Sequence, residues 1–584
     1  MSGYPNELKY FMWEYQVHFR ISCQNRAETI FEHFDRGLSP KFFLLGFSVE
    51  GPLNFQSLLF EEENLDYLRP SFEKLDHYIK KSEEEDPEKR MFYTGPGMQE
   101  KMDLRKKESW ITAGLQNCLI DSVLGKQNVL FVAPRVKVNG YYVNMVLMLN
   151  KEVFNAHYHL TINRFADRYP IATSLLDAAV NFFLDDSLMA LQLPSPGSDL
   201  VSRTKSTDEI IRESARNLCF SIASKGKSGQ GLHGLYKICN DISIQRYEGK
   251  ENSGQIFITE KNSKYIEFDM EFGETFLLSD VRKTRKLLQM TGGRRGLISD
   301  SYHVLGIGTI KDNYDIKSET VFTIKFKGIH CWEAWHMNYS LLIMRYGQAD
   351  LLHEVINWKK FMSDCKRLFK DITKPQISNL YKLSIAATSQ KNGALIVISN
   401  DPTQEALRLN KQCIAVKSSI LTEELLMSMT SIDGGLLIGI DGKVYAQGVI
   451  LDGIVGNNGD SARGSRYNSA ITYHDFKGKT IATMIIVVSE DGMVDIIPDL
   501  KPQISRSEIQ EMISLLKEAF DQNKRANFNQ IMEWLEGRKF YLNEIQCDEI
   551  NIIKNQMANR EYEFVQVIYD DFVPNQDLDD SYFL

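Results

Sequence analysis

Two short clusters combine small residues with a single charge: Asp433-Gly434-Gly435 and Gly464-Ser465-Arg466-Tyr467-Asn468-Ser469. Glycines beside a lone carboxylate leave backbone N–H groups open to a phosphate and let the aspartate reach a metal ion. A guanidinium flanked by hydroxyls, here Arg466 between Ser465 and Ser469, suits a phosphate that needs a fixed cation and further donors. The same residues also suit two ordinary turns, and spacing alone does not choose between these readings. Three apolar runs rich in Val and Ile, 436–440, 444–450 and 481–489, read as buried strands, and these must position both clusters.

The order of motifs through this stretch resembles the nucleotide-binding domain of the diadenylate cyclases, a family that includes the DNA integrity scanning protein. Its members carry a Gly-Ala-Leu-Ile-Val-Ile strand, an Asp-Gly-Ala, a hairpin, a Gly-Thr-Arg-His-Arg loop and a strand ending Val-Val-Ser-Glu-Glu. Here Gly393-Ala394-Leu395-Ile396-Val397-Ile398 is followed by Asp433-Gly434-Gly435, then by Gly464-Ser465-Arg466-Tyr467-Asn468, then by Val487-Val488-Ser489-Glu490-Asp491. Four motifs in order over about 100 residues are a specific signal. They cover about a sixth of the chain.

The resemblance implies a mixed α/β (α+β) domain, a central sheet flanked by helices, over 376–502. It implies that Asp433 holds a divalent cation, Mg²⁺ or Mn²⁺, next to the attacking ribose 3′-hydroxyl of ATP. Gly434, Gly435, Ser465, Arg466 and Ser469 would line the phosphates, with Tyr467 and Asn468 in the same loop. Ser489 and Glu490 would lie at the nucleotide pocket, and Asp433 and Arg466 would carry the chemistry. Because one domain performs half of the reaction, the implied assembly is a homo-oligomer with cyclase domains face to face, making cyclic di-AMP as a bacterial second messenger. The chain departs from the pattern where Tyr467-Asn468 replaces a His-Arg pair and where Ile432 stands in place of a frequent histidine. One phosphate-facing cation is thereby lost, which weakens stabilisation of phosphoryl charge more than it weakens binding. A nucleotide sensor that binds without cyclising is the alternative, and replacement of the lost arginine in space, for example by Arg463, would favour the enzyme.

At 584 residues, with 43% hydrophobic and 25% charged residues, the chain predicts several globular domains. A net charge of −9 disfavours a nonspecific nucleic-acid binder. No run of 18 apolar residues, no leader-like start and eight scattered cysteines without a CxxC pair lead to the expectation of a cytoplasmic protein with reduced thiols and no membrane partner. Neither a helix-hairpin-helix signature nor a membrane anchor, features of other family members, is legible.

The expected organisation is a sensor-like α/β domain over 1–192, a degenerate cyclase-like repeat over 207–350, the cyclase-like domain over 376–502, and a C-terminal helix with an acidic tail over 503–584. In the first part, residues 10–19 read as a buried helix start, 42–47 as a strand, 80–90 as a solvated charge run, and 129–149 as a hairpin around Asn139-Gly140. His157 and His159 alternate as on a strand face but lack a Cys or carboxylate partner nearby, which disfavours a metal pair. Nothing identifies a ligand there. Leu193-Pro194-Ser195-Pro196-Gly197-Ser198 reads as a linker, and Ser206 with Glu209 as a capping box opening a helix to Ala223. Lys225-Gly226-Lys227-Ser228-Gly229 lacks the upstream glycine of a phosphate loop, with Ser221 in its place, and reads as a flexible surface loop.

The repeat is inferred from offsets. Gly254-Gln255-Ile256-Phe257-Ile258 precedes Gly393-Ala394-Leu395-Ile396-Val397 by 139 residues, and Leu287-Leu288-Gln289-Met290-Thr291 precedes 426–430 by the same distance. The Asp433 position falls at Gly292-Gly293-Arg294, and no Gly-Ser-Arg cluster follows. Residues 331–336 and 341–346 read as paired strands, and 351–370 as an amphipathic helix. Ser505 with Glu508 reads as a capping box before the stripe Ile509, Met512, Ile513, Leu516, Phe520, and 570–584 reads as a mobile tail.

Overall fold

The structure, a computed structural model, describes residues 13–50, 58–61, 63–165, 169–198, 204–246, 253–352, 355–390, 393–453, 460, 463–478, 480–490, 493–523, 525–560, 569–575 and 578–584. It is a mixed α+β chain in two compact units, Met1–His353 and Glu354–Leu584.

In the first unit an antiparallel sheet runs in the order Leu58–Phe60, Lys41–Ser48, Tyr141–Asn150, Asn128–Val132, with Val136–Val138 also paired to Tyr141–Asn150. Strand Lys41–Ser48 is buried on both faces: Phe42 and Leu44 join one core, while Phe43, Leu45 and Phe47 join another. Period-2 alternation therefore serves two layers of helices, Gln16–Phe34 and Leu175–Leu191 on one side, Leu75–Glu85 and Met98–Ile120 on the other. The first helix begins at Gln16, inside the aromatic stretch read as a helix start, whose residues 10–12 lie outside the described part. The stretch read as a linker is docked: Trp13 Nε1 donates to the Pro196 carbonyl at 2.8 Å. His157 and His159 follow a short helix, Lys151–Ala156, and are not on a strand. His157 Nε2 lies 3.3 Å from Asp35, and His159 hydrogen-bonds the Phe154 carbonyl. Lys225-Gly226 forms a packed turn, not a free loop, because a Cβ on Gly226 would lie 2.1 Å from the Asp300 carbonyl oxygen.

The capping box of Ser206 and Glu209 opens helix Thr207–Ala223. Beyond it, an eight-stranded sheet runs Gln348–Asp350, Tyr339–Arg345, Cys331–His336, Phe322–Gly328, Gly254–Ile258, Arg295–Ser299, His303–Ile310, Ile266–Leu277. The sheet of the second unit runs Val494–Ile497, Thr483–Val488, Ala394–Ser399, Gly435–Gly439, Lys443–Val449, Ile414–Ile420. Six strands of the first sheet share this order and these directions. In both, only the pair formed by the first and third of these six strands in chain order is parallel, with Ile256 opposite Leu297 in one and Ile396 opposite Leu436 in the other. What differs is the connection into the fifth strand from the Ile266 or Ile414 edge, Phe322–Gly328 or Thr483–Val488: it carries a three-residue turn, Ile316–Ser318, in the first sheet and the thirteen-residue helix Ser465–Lys477 in the second.

That turn has its own role. Buried Glu319 (φ 46°) accepts from the Thr161 and Ile162 backbone N–H groups and from the Tyr158 hydroxyl. Tyr158 also meets His336 Nδ1 at 3.0 Å, and Tyr314 meets Nε2 at 3.1 Å. The Tyr314 oxygen already accepts from the Thr320 and Val321 N–H groups, so its proton goes to Nε2 and the imidazole is the neutral Nδ1–H form. Burial holds His336 below its ordinary 6.5, against the pull of Glu319, and pushes the Tyr158 hydroxyl up to about 12. The unfolded chain therefore takes up this proton first as pH falls. Stability from this group is full above about pH 6.5 and declines as pH drops through the depressed folded value. Thermal melts from pH 7.5 to 5.5 are expected to fall more steeply for the native chain than for His336→Gln.

In the second unit the helix expected over 351–370 is shorter, Trp358–Leu368, capped by Asn357, while Leu351 belongs to the core of the first unit. Helices Arg506–Asp521, Arg525–Glu536 and Glu544–Ala558 share a separate core that includes Ile509, Ile513 and Leu516. Ser505 caps the first of them through the Ser507 N–H, not through the expected reciprocal bond with Glu508. The described part of the acidic end is not a mobile tail. Phe572 is buried and Asn551 binds both its N–H and its carbonyl, while Leu584 N–H donates to Ile504 and the Arg506 guanidinium stacks on Phe583 at 3.9 Å. Aromatic area buried against helices outweighs the acidic composition.

Candidate functional site

The sheet topology of the second unit gathers the candidate residues at one end. Ala394–Ser399 and Gly435–Gly439 are parallel, so the residues that precede them, Gly393 and Asp433-Gly434, lie at the same edge. Thr483–Val488 runs antiparallel to Ala394–Ser399 and delivers Ser489 and Glu490 to that edge. Lys443–Val449 does the same for Gly448. Buried β-branched and leucine side chains on both faces of these strands hold this end rigid.

Arg466 completes the cluster. It sits in the first turn of helix Ser465–Lys477, so the run read as a loop at 464–469 is a helix start with Gly464 as its N-cap. The Arg466 guanidinium lies 4.0 Å from Asp433 Oδ1 and 3.9 Å from Glu490 Oε1. These are loose contacts between exposed groups, weak as ion pairs and easily exchanged for a ligand. Asp433 is fully exposed and, among the described residues, accepts from the Gly434 N–H alone, at 2.9 Å. Among the described residues no side chain caps the helix, so its first N–H groups have no capping partner there. Helix dipole, uncapped first-turn donors and a nearby guanidinium are together suited to an anion.

Two glycines are required here. Gly434 (φ 95°) passes so close to Gly448 that a Cβ would stand 2.7 Å from the Gly448 carbonyl carbon. Gly393 (φ 72°), which the motif pattern contains but does not mark as part of the site, would put a Cβ 2.5 Å from the Val488 oxygen and 2.8 Å from Arg466 Nη1. Gly393→Ala is expected to cost about 1–3 kcal/mol in strain and to displace Arg466. A urea titration checks the first effect, and a weakened nucleotide-induced rise in melting temperature checks the second.

Not every predicted residue reaches the cluster. Gly435 is buried at the strand start, where a Cβ would press on Leu395 at 3.0 Å. Ser465 is exposed and Ser469 half-buried one turn further along the helix. The Asn468 side chain ties down the preceding loop, accepting from Asp460 N–H at 2.8 Å and donating to the carbonyls of Asp460 and Arg463. Tyr467 packs into the domain core beneath the Arg463 guanidinium, 4.5 Å from its ring. Arg463 also pairs with Asp495, so it does not stand in for the missing family arginine. The Ser489 hydroxyl closes a turn with Met493, and Asp491 lies outside the described residues.

A buried clamp that the motifs do not mark supports the arginine helix. Glu405, fully buried on helix Pro402–Arg408, accepts two bonds from the Arg408 guanidinium and one from the Tyr473 hydroxyl at 2.6 Å. Arg408 continues to Asp452, in the loop that leads to Gly464. Hydrogen bonds to Glu405 and Asp452 raise the Arg408 pKa, the Arg408 contact depresses Asp452, and burial together with Glu405 lifts Tyr473 well above an ordinary phenol. The only sequence signal was the three-residue spacing of Glu405 and Arg408.

No group of three or more His, Cys, Asp or Glu side chains suited to a metal occurs among the described residues. A lone exposed carboxylate still fits Mg²⁺, which is commonly held by one or two carboxylates plus substrate phosphates. Asp433 is the residue of this chain that would hold it.

Residues 384–501 match the family described as DisA bacterial checkpoint controller nucleotide-binding. Residues 12–219 and 233–338 match two families described as probable sensor domains, DACNG and DACNH. No curated protein matches the chain. Among solved structures, DacA from Staphylococcus aureus is 21% identical over 24% of this chain and 94% of that one, with a TM-score of 0.19. A hypothetical membrane spanning protein from Bacillus cereus is also 21% identical, over 24% of this chain and 67% of that one, with a TM-score of 0.19. No helix among the described residues is long and apolar enough to cross a membrane. Residues 384–501 thus carry a DisA-type nucleotide-binding domain, behind two segments that match probable sensor-domain families.

Proposed function

We propose that the domain over 376–502 binds ATP and, facing the same domain of a second copy, condenses two ATP into cyclic di-AMP. The observation that carries this reading is Arg466 at an uncapped helix start, between Asp433 and Glu490 and over the Gly393 backbone. Arg466 and the first-turn N–H groups bind and orient the phosphates, and Gly434 allows their close approach. Asp433 would hold Mg²⁺ or Mn²⁺ beside the ribose 3′-hydroxyl, and the cation would lower that hydroxyl's pKa and neutralise phosphate charge. Each 3′-hydroxyl attacks the α-phosphate of the opposite nucleotide, a P–O bond forms, the bond to pyrophosphate breaks, and the proton passes to solvent. One domain holds one nucleotide, so the reaction needs two.

The duplicated strand order supports the further proposal that the sheet over 254–336 is a diverged copy of this domain. Its connection Ile316–Ser318 brings no arginine helix, so it supplies no second half-site. Binding without cyclisation is the second reading, favoured by the engagement of Arg463 with Asp495 and of Asn468 with its own loop. Incubation with ATP, or separately GTP, plus Mg²⁺ or Mn²⁺, followed by mass spectrometry, decides between them. A cyclic dinucleotide establishes the enzyme and its base. Intact ATP with a raised melting temperature establishes the sensor.

A further inference from the structure

A second cavity lies in the first unit, away from any residue assigned above. It has a volume of about 550 Å³ and lies between helices Leu175–Leu191 and Thr207–Ala223, with Leu232 and His233 also lining it. That size falls within the roughly 300–1,000 Å³ of small-molecule sites. Its aromatic walls are Phe182 from one helix and Phe220 from the other, and the His233 ring lies against Phe220 at 5.1 Å between centroids. Neither phenylalanine is fully buried, although both helices bury a full apolar face elsewhere. Glu213, Arg216, Asn217 and Phe220 recur at three- and four-residue spacing, which puts them on one face of their helix, turned into the cavity.

The polar groups are as selective as the rings. Asn217 offers one donor and one acceptor group side by side, the pattern that reads the edge of a heterocycle. Arg216 is 58% exposed and meets Glu213 at 3.8 Å, a loose contact that leaves its guanidinium able to turn to an anion. A second cation, the Lys205 ammonium, stands 5.6 Å from the Phe182 ring.

We propose that this cavity binds a planar heteroaromatic molecule carrying an anionic group, with a purine mononucleotide as the fitting case. The ring stacks between Phe182 and Phe220, Asn217 reads its edge, and Arg216 with Lys205 holds the phosphate. Stacking of a base on an aromatic side chain contributes about 1–3 kcal/mol, and the charge-assisted contacts add selectivity for the phosphorylated form. The site assigns a ligand to the segment that matches a sensor family, and it is independent of whether the C-terminal domain cyclises.

The test uses the full chain and 2-aminopurine riboside 5′-monophosphate, whose fluorescence is quenched by stacking. Arg466→Ala serves as the background, which removes the arginine of the C-terminal site. Saturable quenching is expected there, at least tenfold weaker with Phe220→Ala or Arg216→Glu, and weaker for the uncharged riboside than for the monophosphate. Phe182→Leu is a milder second variant, and circular dichroism confirms that each is folded. Quenching that is absent in the Arg466→Ala background, that survives both Phe220→Ala and Phe182→Leu, or that is as strong with the riboside overturns the proposal.

Discussion

Asp433→Ala is expected to lower cyclic dinucleotide formation by on the order of 10²–10³-fold or more while leaving the fold untouched. The side chain is fully exposed, accepts one hydrogen bond from its own neighbour, and packs against nothing that its loss would unseat. Its removal should change stability by less than about 0.5 kcal/mol, as for other exposed polar positions. ATP should still raise the melting temperature of the variant, because Arg466 and the helix start hold the phosphates. Arg466→Ala should lose most of that shift as well. The pair separates the metal role from the binding role: mass spectrometry reads the product and thermal denaturation reads occupancy. Retention of more than a tenth of the native rate by Asp433→Ala would falsify the catalytic assignment.

Glu405→Ala has the largest expected effect on stability. Glu405 is completely buried and is the acceptor for both Arg408 and Tyr473. Deleting it removes the acceptor of the buried Tyr473 hydroxyl and leaves Arg408 with Asp452 as its carboxylate partner. Breaking a buried pair costs about 3–5 kcal/mol, and since Arg408 is partly exposed and keeps one partner, about 2–3 kcal/mol is expected here. In a unit of this size that lowers the melting temperature by roughly 5–10 °C. Tyr473→Phe, which leaves Glu405 its arginine, should cost only about 1 kcal/mol. The clamp also joins helix Pro402–Arg408 to the arginine helix and, through Asp452, to the loop before it. Glu405→Ala should therefore reduce nucleotide affinity along with stability, whereas Asp433→Ala should not. Urea denaturation and ATP-dependent melting on the two variants distinguish a positioning residue from a binding one.

Asp433 and Arg466 stand out in the chain as candidates because each lies inside a short motif whose residue types have few alternatives. A glycine pair after an aspartate and a hydroxyl before an arginine are local patterns, and local geometry decides what their backbones can do. Glu405, Asp452 and Tyr473 were not legible, since they lie up to 68 residues apart and become partners only when two helices pack on one sheet face. Gly393 was seen as the start of a strand, but its proximity to Arg466 depends on where a helix 70 residues later begins. Arg463 shows the limit from the other side. As a sequence it is a spare cation beside a motif that lacks one, and in the folded domain Asp495 and the Tyr467 ring already hold it.

The sequence by itself determined the strands, through runs of β-branched residues whose burial leaves little choice of conformation, and the family, through four motifs in order. Only the tertiary structure decided which charges are available. Tyr467 packs against the core and Asn468 ties down the preceding loop, while Phe572 and Phe583 of the acidic C-terminal stretch pack against helices. Availability depends on partners distant in sequence, and a charge becomes a site only when the fold leaves it without a better one.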